Sequence, residues 1–317
     1  MNCPYCQRSE TKKFGKDRYG NQRYRCLACN KTFQEDRHKP LGDMILAVDK
    51  AVAVLRLLAE GCSIRSTERL TGVHKNTILS LLETVGEKCQ MLMSEMIQGM
   101  SAKEVQCDEI WGFCQMKNKT AKAKGLENDE TVGDAWCFVA IDRHTKLILT
   151  WHLGRRTAQD TLIFTEQLAK ATTGRFQINT DGFAPYRDAM EQSFGASIDF
   201  AQVIKVFGLP DGDERRYSPP TVTDIKKIAV QGNPDLDTAT TSHVERQNLT
   251  IRMQMRRMTR LTNAFSKKWD NLRYAYAIHF FHYNFIRVHS SLRVTPAQEA
   301  GLTASVWTWQ DLLATQD

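Results

Sequence analysis

The sequence has no long hydrophobic run. Among its 317 residues no stretch of 18 uncharged apolar residues occurs, whereas a membrane-spanning helix needs about 20. The amino-terminal segment MNCPYCQRSETKK also lacks the apolar core of a signal peptide. A Walker-type phosphate loop, the glycine-rich motif of many nucleotide-binding proteins, does not occur either. These absences predict a soluble, cytoplasmic protein with no membrane partner and no nucleotide-driven step.

The composition is that of a globular protein, with 42% apolar and 25% charged residues. A chain of 317 residues exceeds one typical domain of about 100 to 200 residues, which predicts two or three domains. The net charge of +7 is concentrated in residues 1–39, with ten basic against four acidic residues, and in residues 240–293, with ten against two. Basic regions of this kind favour nucleic acid, because neutralising phosphates releases counterions. A solvated charged face is the alternative interpretation.

Four of the nine cysteines have the spacing of a metal site. Cys3, Cys6, Cys26 and Cys29 form the pattern C-x2-C-x19-C-x2-C. Two such pairs of thiolates complete the tetrahedral shell that a structural Zn²⁺ prefers, so we predict a zinc ribbon over residues 1–39. A closed four-sulfur shell leaves no position for a substrate, and its role would be folding. The other five cysteines are scattered and are interpreted as small buried residues of a reducing compartment.

The next segment has helical periodicity. Apolar residues at spacings of three and four predict a helix over residues 43–59, beginning with Ile45. Ser63 can cap a second helix, the turn at 71–73 contains Gly72, and a third helix begins near His74. We interpret residues 40–98 as an all-α helix-turn-helix DNA-binding domain; an ordinary helical hairpin is the alternative. The third helix would present three polar side chains to DNA, namely Lys75, Asn76 and Ser80.

From residue 104 the periodicity indicates strands. Short apolar runs predict three consecutive strands over residues 104–116, 134–143 and 146–155, with a lysine-rich loop after the first. A helix over 158–171, a strand over 176–182, a helix over 185–194 and a strand over 200–207 follow. This order predicts an α/β domain with one mixed sheet covered by helices, in which the fourth strand lies beside the first.

Three acidic residues fall at suggestive places in this layout. Asp108 lies in the middle of the first strand, Asp181 ends the fourth, and Glu245 lies on a helix predicted over residues 243–261. Three clustered carboxylates repel one another unless cations share them, so they would suit two Mg²⁺ or Mn²⁺ ions. Two such ions can promote cleavage or transfer of a phosphodiester. Because side chains alternate along a strand, only one of Asp108 and its neighbour Glu109 should face this site. The spacing of the three acids in the sequence does not by itself decide whether they form a metal site.

The motifs resemble those of a known family. The stretches CDEIW, INTDGFAPY, SHVERQNLTIR and FHYNFIRVHSSLRVTPAQEAGL look like the core of bacterial insertion-sequence transposases of the DDE type, most closely the "insertion sequence one" family. These proteins also begin with a four-cysteine ribbon and a helix-turn-helix. Members of that family often divide these parts between two reading frames, whereas this chain is a single frame.

The resemblance implies an RNase H-like catalytic core over residues 99–265. It implies that Asp108, Asp181 and Glu245 are the catalytic residues and the Mg²⁺ or Mn²⁺ ligands, and that Asn248 assists in positioning a phosphate or a water. It also implies that the protein binds the terminal inverted repeats of its own element and joins them to target DNA. The expected partners are therefore double-stranded DNA and further copies of the chain, as a homodimer or larger assembly, in the bacterial nucleoid.

Two regions remain outside these motifs. Residues 208–240 hold four of the eight prolines and are predicted to be a long loop that contacts DNA or a second protomer. Residues 266–317 are predicted to form helices on the core, since Trp269, Leu272, Tyr276, Phe280 and Tyr283 form a stripe at helical spacing. Arginine and lysine side chains around the junction are predicted to face the DNA backbone: Arg252, Arg256, Arg257, Arg260, Lys267 and Lys268.

Two rival functions fit the same sequence. A domesticated DNA-binding regulator would keep the ribbon and the helix-turn-helix and use the core only for dimerisation. A metal-dependent nuclease would cleave DNA without joining it. The presence of all three acids argues against a regulator, and a strand-transfer assay separates a nuclease from a transposase.

Overall fold

The computed structural model describes residues 1–17, 20, 22–34, 40–42, 44–208 and 222–315. Residues 1–43 and residues 44–315 form two compact units. Within the described part of the chain, every helix is either too short or too polar to cross a membrane.

The first unit is a small three-stranded antiparallel sheet. Its strands are β1 (Thr11–Lys16), β2 (Gln22–Cys26) and β3 (Thr32–Gln34), with β2 in the centre. Cys3, Cys26 and Phe33 form a buried cluster, and Tyr24 stacks on the Phe33 ring. The unit has few apolar side chains to bury, so its cysteines form much of its core.

The second unit begins with three helices, α1 (Val48–Ala59), α2 (Ile64–Thr71) and α3 (Lys75–Met96). The Ser63 hydroxyl accepts a hydrogen bond from the Ser66 N–H at 3.1 Å, which caps α2 as expected. Gly72 ends α2 in the left-handed conformation, at φ 69°. The predicted start of the first helix at residue 43 is wrong, because the helix begins at Val48 and Ile45 is 84% exposed.

Helix α3 is longer than a typical recognition helix and extends for about 33 Å. It packs along α8 (Trp269–Phe281). A Cβ at Gly86 would lie 2.5 Å from the Tyr274 Cβ, so the two helices approach closely at this glycine. The helices of the predicted 40–98 domain therefore share one compact unit with the sheet, a packing that the sequence did not indicate.

The large sheet has six strands in the order β11-β10-β9-β5-β6-β7. The neighbours β5 and β9, and β9 and β10, are parallel, and the remaining pairs are antiparallel. The prediction of a mixed sheet with helices is confirmed, including the fourth strand of the predicted series beside the first. The strands are β5 (Glu104–Cys114), β6 (Gly133–Asp142), β7 (Ile148–Gly154), β9 (Phe176–Thr180), β10 (Ile198–Phe207) and β11 (Val222–Gln231). The short strands β4 (Met100–Ser101) and β8 (Thr172–Thr173) pair separately.

Two predicted loops contain regular structure. The lysine-rich loop after β5 includes a short helix, α4 (Asn118–Ala123). The predicted loop over 208–240 is wrong for residues 222–231, which form β11 at the edge of the sheet, and Pro234 follows that strand. The other three prolines of the segment, Pro210, Pro219 and Pro220, lie outside the described residues.

Helices α5 (Ala158–Ala171) and α6 (Pro185–Phe194) pack on one face of the large sheet. Side chains directly opposite each other on antiparallel strands share a face, and Glu109 is paired with Phe138. The Phe138 ring contacts Phe164 of α5 and Tyr186 of α6. The Glu109 side chain therefore lies on the α5 and α6 face.

The other face carries α7 (Ser242–Gln254) and α8. Asp108 is paired with Val139, which is paired with Trp151 on β7, and the Trp151 ring packs on Tyr276 and Phe280. The predicted aromatic stripe is thus a core face, with Leu272, Tyr276, Phe280 and Tyr283 buried. The chain continues through a π-helical turn (His282–Ile286) to α9 (Pro296–Glu299) and α10 (Trp309–Ala314).

Candidate active site

The four amino-terminal cysteines lie together in the first unit. The Cys3 and Cys29 sulfurs are 3.5 Å apart, and the Cys6 and Cys26 sulfurs are 3.6 Å apart. Tetrahedral Zn²⁺ with Zn–S bonds of about 2.3 Å places its sulfurs about 3.8 Å apart. The backbone N–H of Cys29 lowers the pKa of the Cys26 thiol, whereas burial and the three neighbouring thiols raise the pKa of Cys6. These four residues could therefore bind zinc as a closed shell.

Asp108 and Asp181 are brought together by the pairing of two parallel strands. Cys107 of β5 is paired with Thr180, the last residue of β9, and the next residue of the chain after each of them is an aspartate. One carboxylate oxygen each from Asp108, Glu109 and Asp181 lies within 4.8 Å of the other two. Oxygen ligands at such separations suit Mg²⁺, Mn²⁺ or Ca²⁺, so this acidic cluster could bind a divalent cation.

Glu109 is a member of this cluster that the sequence argument excluded. That argument was wrong because Asp181 lies just beyond the end of β9, where it can be approached from both faces of the sheet. The Asp108 carboxylate also turns back along its own strand and accepts a hydrogen bond from the Glu109 N–H at 2.9 Å. The alternation of side chains along β5 therefore does not keep the carboxylates of Asp108 and Glu109 apart.

Arg156 contacts the cluster with its guanidinium group. Its Nη2 lies 3.7 Å from Oε2 of Glu109 and 3.7 Å from Oδ2 of Asp181. The guanidinium carbon lies 4.8 Å from the Trp136 ring centroid and 4.2 Å from that of Phe183. Because planar guanidinium groups stack on aromatic faces, the two rings hold Arg156 beside the carboxylates.

Crowding and burial make the charged forms of two of these acids costly. Burial and the neighbouring Asp181 charge raise the pKa of Asp108 to about 7. Burial, together with the charges of Asp181 and Asp108, raises the pKa of Glu109 to about 8, and Arg156 opposes this shift. A divalent cation shared by these side chains would reverse both shifts, since an opposite charge favours the ionised form.

Helix α7 brings further polar groups to the Asp108 side of the cluster. The Asn248 Nδ2 donates a hydrogen bond to Oδ2 of Asp108 at 2.8 Å. Glu245 lies one helical turn before Asn248, and its charge contributes to the raised pKa of Asp108. However, Glu245 lies outside the three-carboxylate cluster, because Lys205 of β10 donates to both of its oxygens, at 2.5 Å for Oε2. Thr241 also donates to its Oε1 at 2.6 Å.

The residues of α3 and of the segment after Glu245 that were predicted to contact DNA divide into two sets. Side chains of the first set are exposed, on the first turns of α3 or after α7: Lys75, Asn76, Ser80, Arg256, Arg260, Lys267 and Lys268. Arg252 and Arg257 form the second set and do not face solvent freely. The predicted helix over 243–261 ends at Gln254, and the chain then folds back over these two arginines.

The second set is engaged inside the protein. Arg252 donates to the backbone oxygens of Met258 at 3.0 Å and Trp111 at 3.1 Å. Arg257 donates to the Ser266 hydroxyl at 2.8 Å, and burial lowers the pKa of its guanidinium to about 10. Their predicted role as phosphate-facing residues is therefore wrong for this conformation, and they fix the segment that follows α7.

Comparisons with known proteins add little to this geometry. No protein-family model and no curated protein matches the chain. Among solved structures it is similar to a chain in the cryo-EM structure of a piggyBac transposase synaptic complex with hairpin DNA. The identity is 11%, the match covers 88% of this chain and 72% of that chain, and the TM-score is 0.36. At this TM-score the likeness by itself establishes nothing about the function of this chain.

Proposed function

We propose that the chain is a DNA transposase of the DDE type that binds the terminal inverted repeats of its insertion sequence and cuts and joins DNA. The observation that carries the proposal is the proximity of Asp108, on β5, and Asp181, just beyond the end of the neighbouring parallel strand β9. The sequence motifs around these residues and Glu245 resemble those of such transposases, most closely the "insertion sequence one" family. An RNase H-like core is part of the same proposal.

Asp108 and Asp181 would hold Mg²⁺ or Mn²⁺, and Glu245 would join them once its carboxylate leaves Lys205. Bound at such a site, two divalent ions activate an attacking oxygen and stabilise the leaving oxygen of a phosphodiester. Asn248 keeps the Asp108 carboxylate oriented through its hydrogen bond. Arg156, fixed between its two aromatic rings, keeps positive charge next to Asp181, where a phosphate would lie.

DNA binding is assigned in this proposal to three basic parts of the chain. The ribbon, with a structural Zn²⁺ on its four cysteines, and the exposed amino-terminal turns of α3 with Lys75, Asn76 and Ser80 would bind the element end. Exposed Arg256, Arg260, Lys267 and Lys268 would contact the phosphate backbone. Because two element ends must be held together, the active species would be a dimer or a larger assembly on DNA.

A strand-transfer assay tests the proposal. The full chain is incubated with Mg²⁺ and a duplex carrying the inverted repeat that flanks its gene, together with target DNA. Joined product is expected from the native chain. Asp108→Asn should reduce cleavage and joining roughly a thousandfold, because loss of several kcal/mol of metal-supplied stabilisation corresponds to that factor.

The control is Asp188→Asn, which removes an exposed carboxylate on α6 and should leave activity unchanged. Cleavage without joining would identify a nuclease instead. Binding without any cleavage would identify a regulator, and full activity of Asp108→Asn would remove the chemical basis of the proposal.

A further inference from the structure

We propose that Glu109, together with Asp108 and Asp181, binds a divalent cation at a position that does not use Glu245. Their three carboxylate oxygens lie within 4.8 Å of one another. At that limit the three oxygens would lie about 2.8 Å from a common centre. The oxygens would therefore close by a few tenths of an ångström around an ion the size of Ca²⁺, with metal–oxygen distances of about 2.3–2.6 Å, and by about 1 Å around Mg²⁺ at about 2.0–2.1 Å. The inference deepens the proposed function and rests on the same site.

The state of the Glu109 carboxylate points independently to a ligand. Its side chain is only 1% exposed, and among the described residues its Oε1 has no hydrogen-bond partner. A buried polar atom without a partner is costly, so most such atoms in proteins are satisfied by protein groups, water or ions. The Glu109 carboxylate belongs to the same cluster as the oxygens of Asp108 and Asp181, where a cation would satisfy its unpartnered Oε1.

The charge balance of the cluster fits one such ion. Three carboxylates, the Arg156 guanidinium and one divalent cation together form a neutral group. Arg156 cannot fill the position by itself, because its 3.7 Å separations from Glu109 and Asp181 are longer than hydrogen bonds. The guanidinium therefore compensates charge without coordinating the oxygens.

Glu245 is not needed for this ion. Its carboxylate is engaged by Lys205 and Thr241, and the three clustered oxygens come from other residues. Binding of this ion can therefore be measured without DNA, independently of transposition.

The test is Mn²⁺ binding to the full, zinc-loaded chain, followed by the electron paramagnetic resonance signal of free Mn²⁺. Glu109→Gln should weaken the first Mn²⁺ at least tenfold. Glu109→Asp keeps the charge but retracts the carboxylate, and it should weaken binding severalfold. Glu166→Gln, which changes an exposed glutamate on α5, is the matched control and should bind as the native chain does.

Two variants on the other side of the cluster complete the test. Glu245→Gln and Lys205→Gln should each leave the first Mn²⁺ affinity within about twofold, because Glu245 is not one of its ligands. Native affinity in both Glu109 variants would overturn the inference. A tenfold loss of Mn²⁺ affinity in Glu245→Gln, or a tenfold gain in Lys205→Gln, would also overturn it. These two measurements remain decisive even if Glu109→Gln does not fold. None of these outcomes bears on the strand-transfer result with Asp108→Asn.

Discussion

The two candidate metal sites of the protein differ in how their ligands relate to the fold. In the first unit Cys3 and Cys26 are themselves buried core residues and form a cluster with Phe33. The carboxylates of the second unit are instead placed on a six-stranded sheet that has its own large apolar core. The thiols therefore contribute to the core of the first unit. In the second unit, the fold holds the carboxylates close together despite their mutual repulsion. Loss of a ligand should consequently have opposite effects at the two sites.

The largest effect is expected at the cysteines. Cys26→Ser should unfold residues 1–43 within the full chain, because apparent zinc-binding energies of small finger domains are about 10–16 kcal/mol and the unit has little other core. Amide dispersion in NMR spectra of the full chain reports this directly. Cys62→Ser, at a half-buried cysteine outside the cluster, should leave these signals in place. A folded ribbon in the Cys26→Ser variant would show that the fold of the first unit does not depend on its metal ligands.

The opposite effect is expected at the carboxylates. In the absence of divalent cations, Asp108→Asn should stabilise the second unit by about 2 kcal/mol at pH 8, since a unit of pKa shift corresponds to about 1.4 kcal/mol and the group is partly screened. The raised pKa means that ionised Asp108 destabilises the fold. The gain should therefore shrink as the pH falls from about 7 towards 4 and the native carboxyl becomes protonated. Denaturant unfolding at several pH values measures it, and destabilisation at pH 8 would contradict the account.

Asn248 offers a smaller test of how the sheet site is held. Asn248→Ala removes the hydrogen bond to Asp108, and such bonds to charged groups contribute about 1.5–3 kcal/mol. Mg²⁺-dependent cleavage should fall by roughly tenfold or more while DNA affinity stays unchanged. Leu249→Ala, at the exposed neighbouring position on α7, is the control. Equal losses in both variants would indicate a general effect on α7 instead.

The smallest effect is expected from the exposed basic residues. Lys267→Gln combined with Lys268→Gln should weaken DNA binding severalfold and reduce the slope of log K against log salt by up to about two, one for each lost phosphate contact. Stability of either unit should not change. Salt-dependent fluorescence anisotropy with labelled duplex measures the slope, and an unaltered slope would remove these lysines from the DNA interface.

Much of the sheet could be predicted from local sequence. Runs of apolar residues predicted β5, β6 and β7. The order of the strands and helices predicted that β9 lies beside β5. That order also placed Asp108 and Asp181 close together, because the parallel pairing brings the middle of β5 beside the end of β9. These features depend on short-range pattern and on general rules of sheet topology.

Other features depend on contacts that no local pattern contains. The sequence of β11, VTDIKKIAVQ, contains both charged and apolar residues and follows a proline-rich stretch. This pattern predicts a loop. Glu109 joins the cluster only because Asp181 lies past the end of its strand. Arg252 and Arg257 look like surface residues until α7 ends at Gln254 and the chain folds back over them.

The most direct measurement is a crystal structure of the protein soaked in Mn²⁺, with the ion located by its anomalous scattering. We expect a peak within bonding distance of both Asp108 and Asp181. A map without such a peak at saturating Mn²⁺, in which the two carboxylates contact only protein groups and water, would contradict the claim that this pair binds the divalent ion for DNA chemistry.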